Sequence, residues 1–508
     1  MSKGTAGFRA SHVNTGTAVA PDELPWPTTH GRVMRLRKTH VEVDPRSTVT
    51  AYGGLDLAVA FLRRFDVART IDRHVHVLRQ HRPYSEADHI LTQTLSLYVG
   101  GTCIEDQANL QHDEAVLRML GACRLPDPTT AGDFLRRFDE RSNPGSLDGL
   151  RQAVDHIEAQ VWKKLRRRDR TRELGPAVVD LDGHRKLLYG VQKEGADFSH
   201  KGQWSYYPLL ASLAGTGECL AVRNRAGNEH AHDGADELLD EVLPRVHALG
   251  RGVLVRGDSE FDQAKLRQAC ERHGAHFAFV GREFKNRPGI AASIPEKDWS
   301  HFRTRAARER AERPGVQRRK RGIDRRKRRA RERGFRDMQL RRQWVAEVPH
   351  QPPGAAEPYR LVIRRQLIEH TQGQQALFAE YRYRYVVTNL PTSWSAEEVI
   401  DATYERCDQE IVIEQMGSGL AMWRMPVGQF AGNSAWLEIG RLAWNLGKWI
   451  AQLALPAEVV RWEWKRSRQA FVYLAAHVVR SANQTWVRLS GSHRFATVVA
   501  DAHARLQT

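Results

Sequence analysis

Cysteine is scarce in this chain, and the few cysteines are poorly placed for cross-linking or zinc binding. The five residues are scattered, odd in number and never close to a Cys-x-x-Cys spacing: Cys103, Cys123, Cys219, Cys270 and Cys407. A disulfide framework needs paired cysteines, and a structural zinc site needs closely spaced ligands. The sequence argues against both and predicts a reducing, cytoplasmic location.

Long apolar runs are also missing. No stretch reaches the roughly 18 to 20 apolar residues of a membrane span, so no membrane partner is expected. The first 30 residues lack the apolar core of a secretory signal, and residues 1–40 are predicted to be a disordered leader. Hydrophobic residues make up 41% and charged residues 27% of the 508 positions. That composition is typical of globular chains, here of about two to four domains.

Positive charge is the strongest feature of the composition, and it is unevenly spread. The net charge is +18, yet residues 303–342 contain 19 Lys and Arg against 5 Asp and Glu, which leaves only about +4 for the rest. A block of this kind repels itself and favours a polyanion, because each neutralised phosphate releases a counterion. We expect a nucleic acid partner, contacted by the basic residues Arg318, Arg319, Lys320, Arg325, Arg326, Lys327 and Arg328. A solvated loop without a dedicated partner is the alternative.

The first structured third, residues 41–170, is predicted to be helical. Ser85 with Asp88 matches a capping box, and an apolar face follows until Gly100-Gly101 stops the helix. Apolar residues at helical spacing before and after this segment indicate further helices.

A pair of helices in this region resembles a DNA-reading unit. A short helix ends at Gly121, a proline-containing turn follows, and Thr130 with Asp133 predicts the start of the next helix. Arg136 and Arg137 are expected to be exposed on this second helix, as in helix-turn-helix domains. Many helical bundles share the pattern, so a purely structural role stays open.

Beyond residue 177 the periodicity changes to that of strands. The predicted strands are 178–182, 206–213, 218–223, 252–256, 276–280, 359–364 and 383–388. Helices are expected at 234–249 and 262–273, so hairpins come first and alternating strands and helices later, which indicates an α/β sandwich. Residues 282 to about 380 interrupt this order with the basic block. The tryptophan-rich stripe of the tail is interpreted as core packing.

Four acidic residues stand where folding brings them together. Asp180 and Asp182 alternate along one strand and so point to one face. Asp258 follows the end of an apolar strand, where open α/β sheets place their sites. Glu410 belongs to the helix after the strand at 383–388. The alternatives are purely structural roles: a strand-end hydrogen bond for Asp180 and an i,i+4 pair with Arg406 for Glu410.

The helix that carries Glu410 has a predicted inward stripe. Its members are Ile400, Thr403, Cys407 and Ile411. Glu410 falls at the edge of this stripe and Glu414 near its middle, so at least one carboxylate is expected to face the sheet. A buried carboxylate is costly unless it is paired or bound to a cation.

Converging carboxylates raise one another's pKa, and a divalent ion relieves that repulsion. Hard oxygen ligands select Mg²⁺ or Mn²⁺. Two such ions, about 3.5 to 4 Å apart, activate a nucleophile and stabilise the leaving oxygen in in-line phosphodiester attack. The residues alone therefore suggest metal-dependent nuclease chemistry.

Blocks spread over roughly residues 50–450 carry a family resemblance. They are Val-Val-Asp-Leu-Asp-Gly-His at 178–184, the stretch from Tyr189 to Leu210, Arg-Gly-Asp-Ser-Glu-Phe at 256–261, Tyr-Val-Val-Thr-Asn-Leu at 385–390, and Arg406-x3-Glu410. In order and spacing they resemble the insertion-sequence DDE transposases, in the group with an N-terminal helical domain and a β-rich insertion before the final glutamate.

The resemblance implies a ribonuclease-H-like catalytic core over 171–281 and 382–455. It implies a basic, β-rich insertion over 282–381 that helps hold DNA ends, and a C-terminal helical region over 456–508. The metal-binding roles carry over to Asp182, Asp258 and Glu410, with Asp180 as the alternative first aspartate; Asp182 is preferred because Asp-Gly-His matches the turn of such folds.

The reaction implied is cleavage at the terminal inverted repeats, followed by attack of the freed 3′-hydroxyl on target DNA, with two Mg²⁺ or Mn²⁺ ions. Partners are then double-stranded DNA, both element ends and target, and a second copy of the chain at synapsis. The expected location is the bacterial cytoplasm, with nucleoid association through DNA.

Two positions depart from the family's glutamate signature, Tyr-x2-Arg-x3-Glu-x6-Lys. Thr403 stands in the tyrosine position, with Tyr404 one place away, and Gly417 stands in the lysine position. Arg406 and Glu410 match, and Arg406 is expected to contact DNA. The missing lysine removes one expected phosphate contact.

Two other functions share parts of this pattern. A ribonuclease-H-like nuclease or resolvase would use the same carboxylates without moving an element. A catalytically inactive DNA-binding protein descended from a transposase would keep its function after Asp182→Asn or Asp258→Asn.

Overall fold

A computed structural model describes residues 38–168, 175–282, 287–305, 308, 338–370, 380–482 and 484–507. Nearly all of the predicted leader lies outside these ranges. The seven basic residues between Arg318 and Arg328 that are predicted to contact nucleic acid also lie outside them. Within the described ranges, no helix is long and apolar enough to span a bilayer. The four cysteines whose side chains are described are free thiols.

The N-terminal third is helical, as its periodicity predicts. After a short strand β1 (Val49–Thr50), the helices are α1 (Asp56–Arg64), α2 (Val67–His74), α3 (Glu86–Val99), α4 (Ala108–Gln111), α5 (Glu114–Leu120), α6 (Pro128–Arg136) and α7 (Ser146–Arg168). The predicted capping box of α3 is present at Ser85 and Asp88. Gly100 ends this helix with a φ of 111°, a conformation that side chains rarely adopt.

The start of α6 corrects one expectation. The helix begins at Pro128 and is capped by Asp127, whose carboxylate accepts the Thr130 backbone N–H at 2.9 Å. Thr130 therefore lies inside the first turn and not at the cap. Proline fits this position because its missing N–H is not needed there.

The middle of the chain alternates strands and helices. It contains β2 (Ala177–Gly183), β3 (Lys186–Leu187), β4 (Asp197–Phe198), β5 (Trp204–Tyr206), β6 (Leu209–Leu213), β7 (Glu218–Arg223), α8 (Ala235–His247), β8 (Val253–Gly257), α9 (Ala264–Arg272) and β9 (His276–Val280). The single strand predicted over 206–213 is in fact two, because Tyr207-Pro208 breaks the ladder between β5 and β6. Strands β3, β5 and β4 form a small sheet of their own.

The predicted insertion and the stretch after it add α10 (Arg287–Ser293), β10 (Ser300–His301), β11 (Met338–His350), β12 (Tyr359–His370) and β13 (Glu380–Thr388). These strands join those of the middle region in one nine-stranded sheet of order β10-β11-β12-β13-β9-β8-β2-β6-β7. The described part of the insertion is therefore continuous with the sheet that carries Asp182.

Strand directions divide the sheet into two kinds of pairing. β2 is parallel to β8, and β8 is parallel to β9. β2, β6 and β7 are antiparallel neighbours, and so are β9, β13, β12 and β11. The carboxyl ends of β2 and β8 thus meet at one edge, which is where an α/β sheet places ligands.

The last part of the chain is mostly helical, with one exception. It contains α11 (Ala396–Tyr404), α12 (Cys407–Ser418), α13 (Phe430–Ala454), α14 (Trp464–Phe471), β14 (Ala476–Ser481), β15 (Gln484–Leu489) and α15 (Ala496–Gln507). The β14–β15 hairpin was not expected in a region predicted as helical, and it pairs with β1 near the other end of the chain.

Helix α13 is the centre of the helical layer. Trp436, Trp444 and Trp449 are at most 1% exposed, so the prediction that the tryptophans form core is confirmed. α13 packs against α3, α7 and β7. Its buried Arg441 pairs with Asp155 of α7 at 2.6 Å. The N-terminal helices, the tail and the sheet therefore form one packed body around α13.

Candidate functional site

Asp182 and Asp258 lie beside each other at the carboxyl edge of the sheet. Asp182 is near the end of β2, and Asp258 directly follows β8. The parallel register aligns Asp180 with Arg256, so two residues further along Asp182 stands opposite Asp258. Neighbouring strands are about 4.8 Å apart, and two aspartates far apart in sequence become neighbours.

Glu410 reaches the same edge through α12. Gln409 is 1% exposed, and its Nε2 donates to the backbone oxygen of Asp180 at 2.8 Å. This bond fixes the first turn of α12 onto β2, next to Asp182. The following residue, Glu410, is exposed and makes no ion pair within the described ranges. Its carboxylate is therefore available beside the two aspartates.

The predicted inward stripe of this helix is only half right. Ile400 and Thr403 are buried, but Ile411 is 50% exposed. The structure ends α11 at Tyr404 and starts α12 at Cys407, and the break turns the inward face to Gln409, Ile413 and Met416. The predicted stripe requires one continuous helix, and the break between α11 and α12 changes which residues after Tyr404 face inward. Glu414 is exposed and does not face the sheet.

The Asp182 carboxyl is influenced by the charged groups around it. Burial raises the pKa of the Asp182 carboxyl to about 6, against the lowering effect of the Arg406 guanidinium. The negative charges of Asp258 and Glu410 raise the same pKa further. Like charges have this effect only at short range. Asp258 and Glu410 therefore lie near enough to Asp182 for their charges to act on its carboxyl.

Asp180 has a different environment. Its carboxylate forms a two-point pair with Arg256, with Nε–Oδ1 at 2.6 Å and Nη2–Oδ2 at 2.8 Å. Both side chains are at most 4% exposed. Arg256 also donates to the backbone oxygen of Ala402 at 2.5 Å. These bonds make Asp180 part of the joint between β2, β8 and α11, with both oxygens already used.

Arg406 contacts the site, although not through the partner considered from sequence. Its Nη1 lies 3.3 Å from Oδ2 of Asp182, whereas the alternative i,i+4 pair with Glu410 is not formed. The arginine therefore places a positive charge beside the Asp182 carboxylate.

Tyr207 is a site residue that the sequence reasoning did not assign. Its ring packs on Gly183, where an added Cβ would lie 2.9 Å from the Tyr207 hydroxyl oxygen. The guanidiniums of Arg185 and Arg225 lie 4.3 Å and 5.2 Å from the ring centroid. Burial and the Asp182 charge raise the pKa of Tyr207. Its hydroxyl makes no hydrogen bond to any described residue.

The signal for Tyr207 was present but incomplete. Tyr207-Pro208 lies in one of the sequence blocks that carry the family resemblance, yet nothing in the sequence places it beside Asp182. That contact depends on the antiparallel pairing of β2 with β6, in which Asp182 faces Leu210.

Gly417, in the position of the family's lysine, has no room for a side chain. An added Cβ would lie 2.6 Å from Cδ1 of Trp423. The indole of Trp423 donates to the Ile413 carbonyl at 3.1 Å, and its ring lies 4.6 Å from that of His184. The Trp423 ring, packed against that of His184, therefore occupies the space a side chain at Gly417 would need.

The predicted DNA-contacting arginines of the helical region lie outside the carboxylate site. Arg136 ends α6, and Arg137 follows it; both are exposed. Arg136 pairs with Asp133 at 2.6 Å. The remaining predicted basic contacts, between Arg318 and Arg328, fall outside the described residues.

The donor set of the site fits a hard divalent cation. Asp182, Asp258 and Glu410 supply only carboxylate oxygens, the ligands that Mg²⁺ and Mn²⁺ prefer. In the part of the chain that the structure describes, no three His, Cys, Asp or Glu side chains are already close enough to hold an ion.

Together these features define a mixed α/β protein with an acidic site at the carboxyl edge of its sheet. A family model described as Transposase DDE domain group 1 matches residues 33–508. The chain therefore belongs to this transposase family, and the predicted resemblance is confirmed.

Solved structures also match this chain, among them one transposase complex. The cryo-EM structure of the piggyBac transposase synaptic complex with hairpin DNA is similar to this chain with a TM-score of 0.38 and 10% identity, covering 83% of this chain and 79% of its own. No curated protein matches the sequence.

Proposed function

We propose that this protein is a DNA transposase that cuts at the ends of its element and joins the 3′-hydroxyl ends to target DNA. The observation that carries the proposal is the placement of Asp182 and Asp258 at the carboxyl ends of adjacent parallel strands, with Glu410 held beside them. The antiparallel trio β7-β6-β2 followed by parallel β8 and β9 supports the ribonuclease-H-like core that the family resemblance implies.

Asp182, Asp258 and Glu410 would hold Mg²⁺ or Mn²⁺, two ions in the fully loaded site. When bound, such ions supply an activated nucleophile and stabilise the leaving oxygen of a phosphodiester. The chain's own residues orient the site. Gln409 fixes α12 against β2, and Gly183, directly after Asp182, leaves room for the Tyr207 ring.

Other side chains are suited to the scissile phosphate. Arg185 stacks on Tyr207, makes no ion pair with a described carboxylate and donates to the Gly227 carbonyl at 2.6 Å. A guanidinium without a carboxylate partner beside an acidic site suits a phosphodiester. Arg225, which also stacks on Tyr207, is 6% exposed and donates to four backbone carbonyls, so its role is to hold the ring in place. The Tyr207 hydroxyl would donate to a phosphate oxygen.

DNA is the proposed substrate and partner. The basic block over 303–342 would neutralise phosphates of the bound ends, together with Arg136, Arg137 and Arg406. Synapsis of two ends would require a homodimer, and we place the reaction in the bacterial cytoplasm, on the nucleoid.

The decisive test is Asp258→Asn, compared with Glu260→Gln. Both remove one charge, but Glu260 is exposed and pairs with Arg282. A metal contributes several kcal/mol to such a transition state, so Asp258→Asn should lower Mg²⁺-dependent strand cleavage by roughly 10³-fold or more while DNA binding is kept. Glu260→Gln should cut normally. Residual wild-type cleavage by Asp258→Asn would refute the assignment, and wild-type and variant proteins that bind DNA but never cut would favour the binding-only alternative.

A further inference from the structure

A cavity of about 650 Å³ opens in the helical region, apart from the carboxylate site. Its walls are the loop between α2 and α3 and the C-terminal end of α6. Four arginines line it, Arg79, Arg82, Arg136 and Arg137, together with Tyr84 and His89.

The charge in this cavity is almost uncompensated. Arg136 pairs with Asp133, but Arg79, Arg82 and Arg137 make no ion pair with any described residue. All three are exposed. Cationic side chains gathered around a concave surface focus positive potential and attract anions.

The loop that carries Arg79 and Arg82 is held in place. The buried Glu86 carboxylate accepts the backbone N–H groups of Val77 and Leu78 at 3.1 Å and 3.0 Å. The Tyr84 hydroxyl donates to the Leu125 carbonyl at 3.0 Å. The two arginines are therefore presented by an anchored frame and need little ordering when a ligand binds.

His89 adds a polar atom to the wall. Its ring is 3% exposed and is stacked on Phe134 with centroids 4.5 Å apart. Its Nδ1 has no hydrogen-bond partner among the described residues. Burial lowers the pKa of His89 to about 4, so the ring is neutral at physiological pH. The ring therefore adds no charge of its own to that of the four arginines.

We propose that this cavity clamps backbone phosphates of duplex DNA. The inference rests on the proposed function, in which DNA is the substrate. It changes the role predicted from sequence, because Arg136 and Arg137 sit at the end of α6, whose body is buried through Ala131, Phe134 and Leu135. Base reading needs a helix that projects side chains into a groove. Arginines converging from a loop and a helix end instead fit the positioning contacts made to phosphates.

The test is the salt dependence of DNA binding by the full chain. The variant Arg79→Ala/Arg82→Ala/Arg137→Ala is compared with Arg73→Ala/Arg480→Ala/Arg488→Ala, which removes the same charge from exposed positions outside the cavity. The probe is a fluorescent duplex of arbitrary sequence, titrated in EDTA between about 50 and 200 mM salt. The slope of log K against log salt should become shallower by about 2 to 3 for the cavity variant, or about 0.9 per lost phosphate contact. The control should keep most of the wild-type slope.

Equal slopes for the two variants would overturn the proposal. So would calorimetric binding of inorganic phosphate that is lost in the cavity variant while its DNA slope stays at the wild-type value, because the site would then serve a free anion. A sequence-dependent loss, confined to one duplex among several, would indicate base reading. The assay contains no metal and requires no cleavage. Asp258→Asn is expected to keep the wild-type slope, so failure of the catalytic proposal and failure of the clamp are distinguishable.

Discussion

Arg256 holds Asp180 through two hydrogen bonds inside the sheet. Asp180 lies two residues before Asp182, the aspartate at the proposed site. Asp180 and Asp182 share one strand face by sequence, yet only Asp182 belongs to the acidic cluster. The arginine on the neighbouring strand separates their roles.

This pair predicts opposite effects for the two aspartates. Asp180→Asn leaves the Arg256 charge buried without its partner, and breaking such a pair costs roughly 3 to 5 kcal/mol. We therefore expect a clearly lower melting temperature for Asp180→Asn. Asp182→Asn should fold at least as stably as the natural protein and lose cleavage. Differential scanning fluorimetry and a cleavage assay on both variants check this, and a stable, inactive Asp180→Asn would reverse the assignment.

The raised pKa of Asp182 predicts an acid limit to activity. Its carboxyl has a pKa of about 6, so below that pH a proton competes with the metal. At low Mg²⁺ concentration, cleavage should fall about tenfold per pH unit below about 6, and saturating Mg²⁺ should move the limit to lower pH. Single-turnover rates between pH 5 and 8 measure both effects. A profile that ignores Mg²⁺ concentration would contradict the role of Asp182.

The same pKa has a consequence for stability. A folded pKa above the unfolded value of about 3.9 means that protonation of Asp182 favours folding, and this contribution is lost as the pH rises through about 6. The metal-free protein should thus lose melting temperature over this window, and Mg²⁺ should restore it. Asp182→Asn, which cannot ionise there, is the control and should lack this part of the pH dependence.

Restoring the family's lysine at Gly417 should damage this protein. A side chain at that position meets the Trp423 indole, and overpacking costs about 1 to 3 kcal/mol. Gly417→Lys should lower the melting temperature and should not raise DNA affinity beyond the exposed control Ser418→Lys, which adds the same charge. Tighter binding and faster cleavage by Gly417→Lys alone would show that the indole moves aside.

Tyr207 and Tyr206 form a matched pair for testing the hydroxyl at the site. Tyr207→Phe removes a donor beside Asp182, and one hydrogen bond of about 1 to 1.5 kcal/mol corresponds to roughly a tenfold loss of the cleavage rate. DNA affinity and melting temperature should hardly change. Tyr206→Phe removes a hydroxyl that donates to the Glu194 carbonyl, so it should lower stability and leave the cleavage rate of folded protein unchanged. Equal effects of the two variants on the rate would remove Tyr207 from the site.

Several structural features follow directly from local sequence. The capping box at Ser85, the glycine that ends α3, the strand Glu218–Arg223 and the buried tryptophans were all predictable, because caps, turns and hydrophobic periodicity act over a few residues. The position of Asp258 after an apolar strand belongs to the same class. These signals also supported the family resemblance, which the family model confirms.

Only the tertiary structure decided which carboxylates lie at the site and which form an ion pair elsewhere, as Asp180 does with Arg256. Strand register set Asp182 opposite Asp258 and Asp180 opposite Arg256, and a break between two helices turned Gln409 inward and left Glu410 beside the aspartates. Register, helix breaks and the packing of Tyr207 on Gly183 are contacts between residues far apart in the chain. Local periodicity contains no information about such contacts, because their free energy arises only when separate elements pack together.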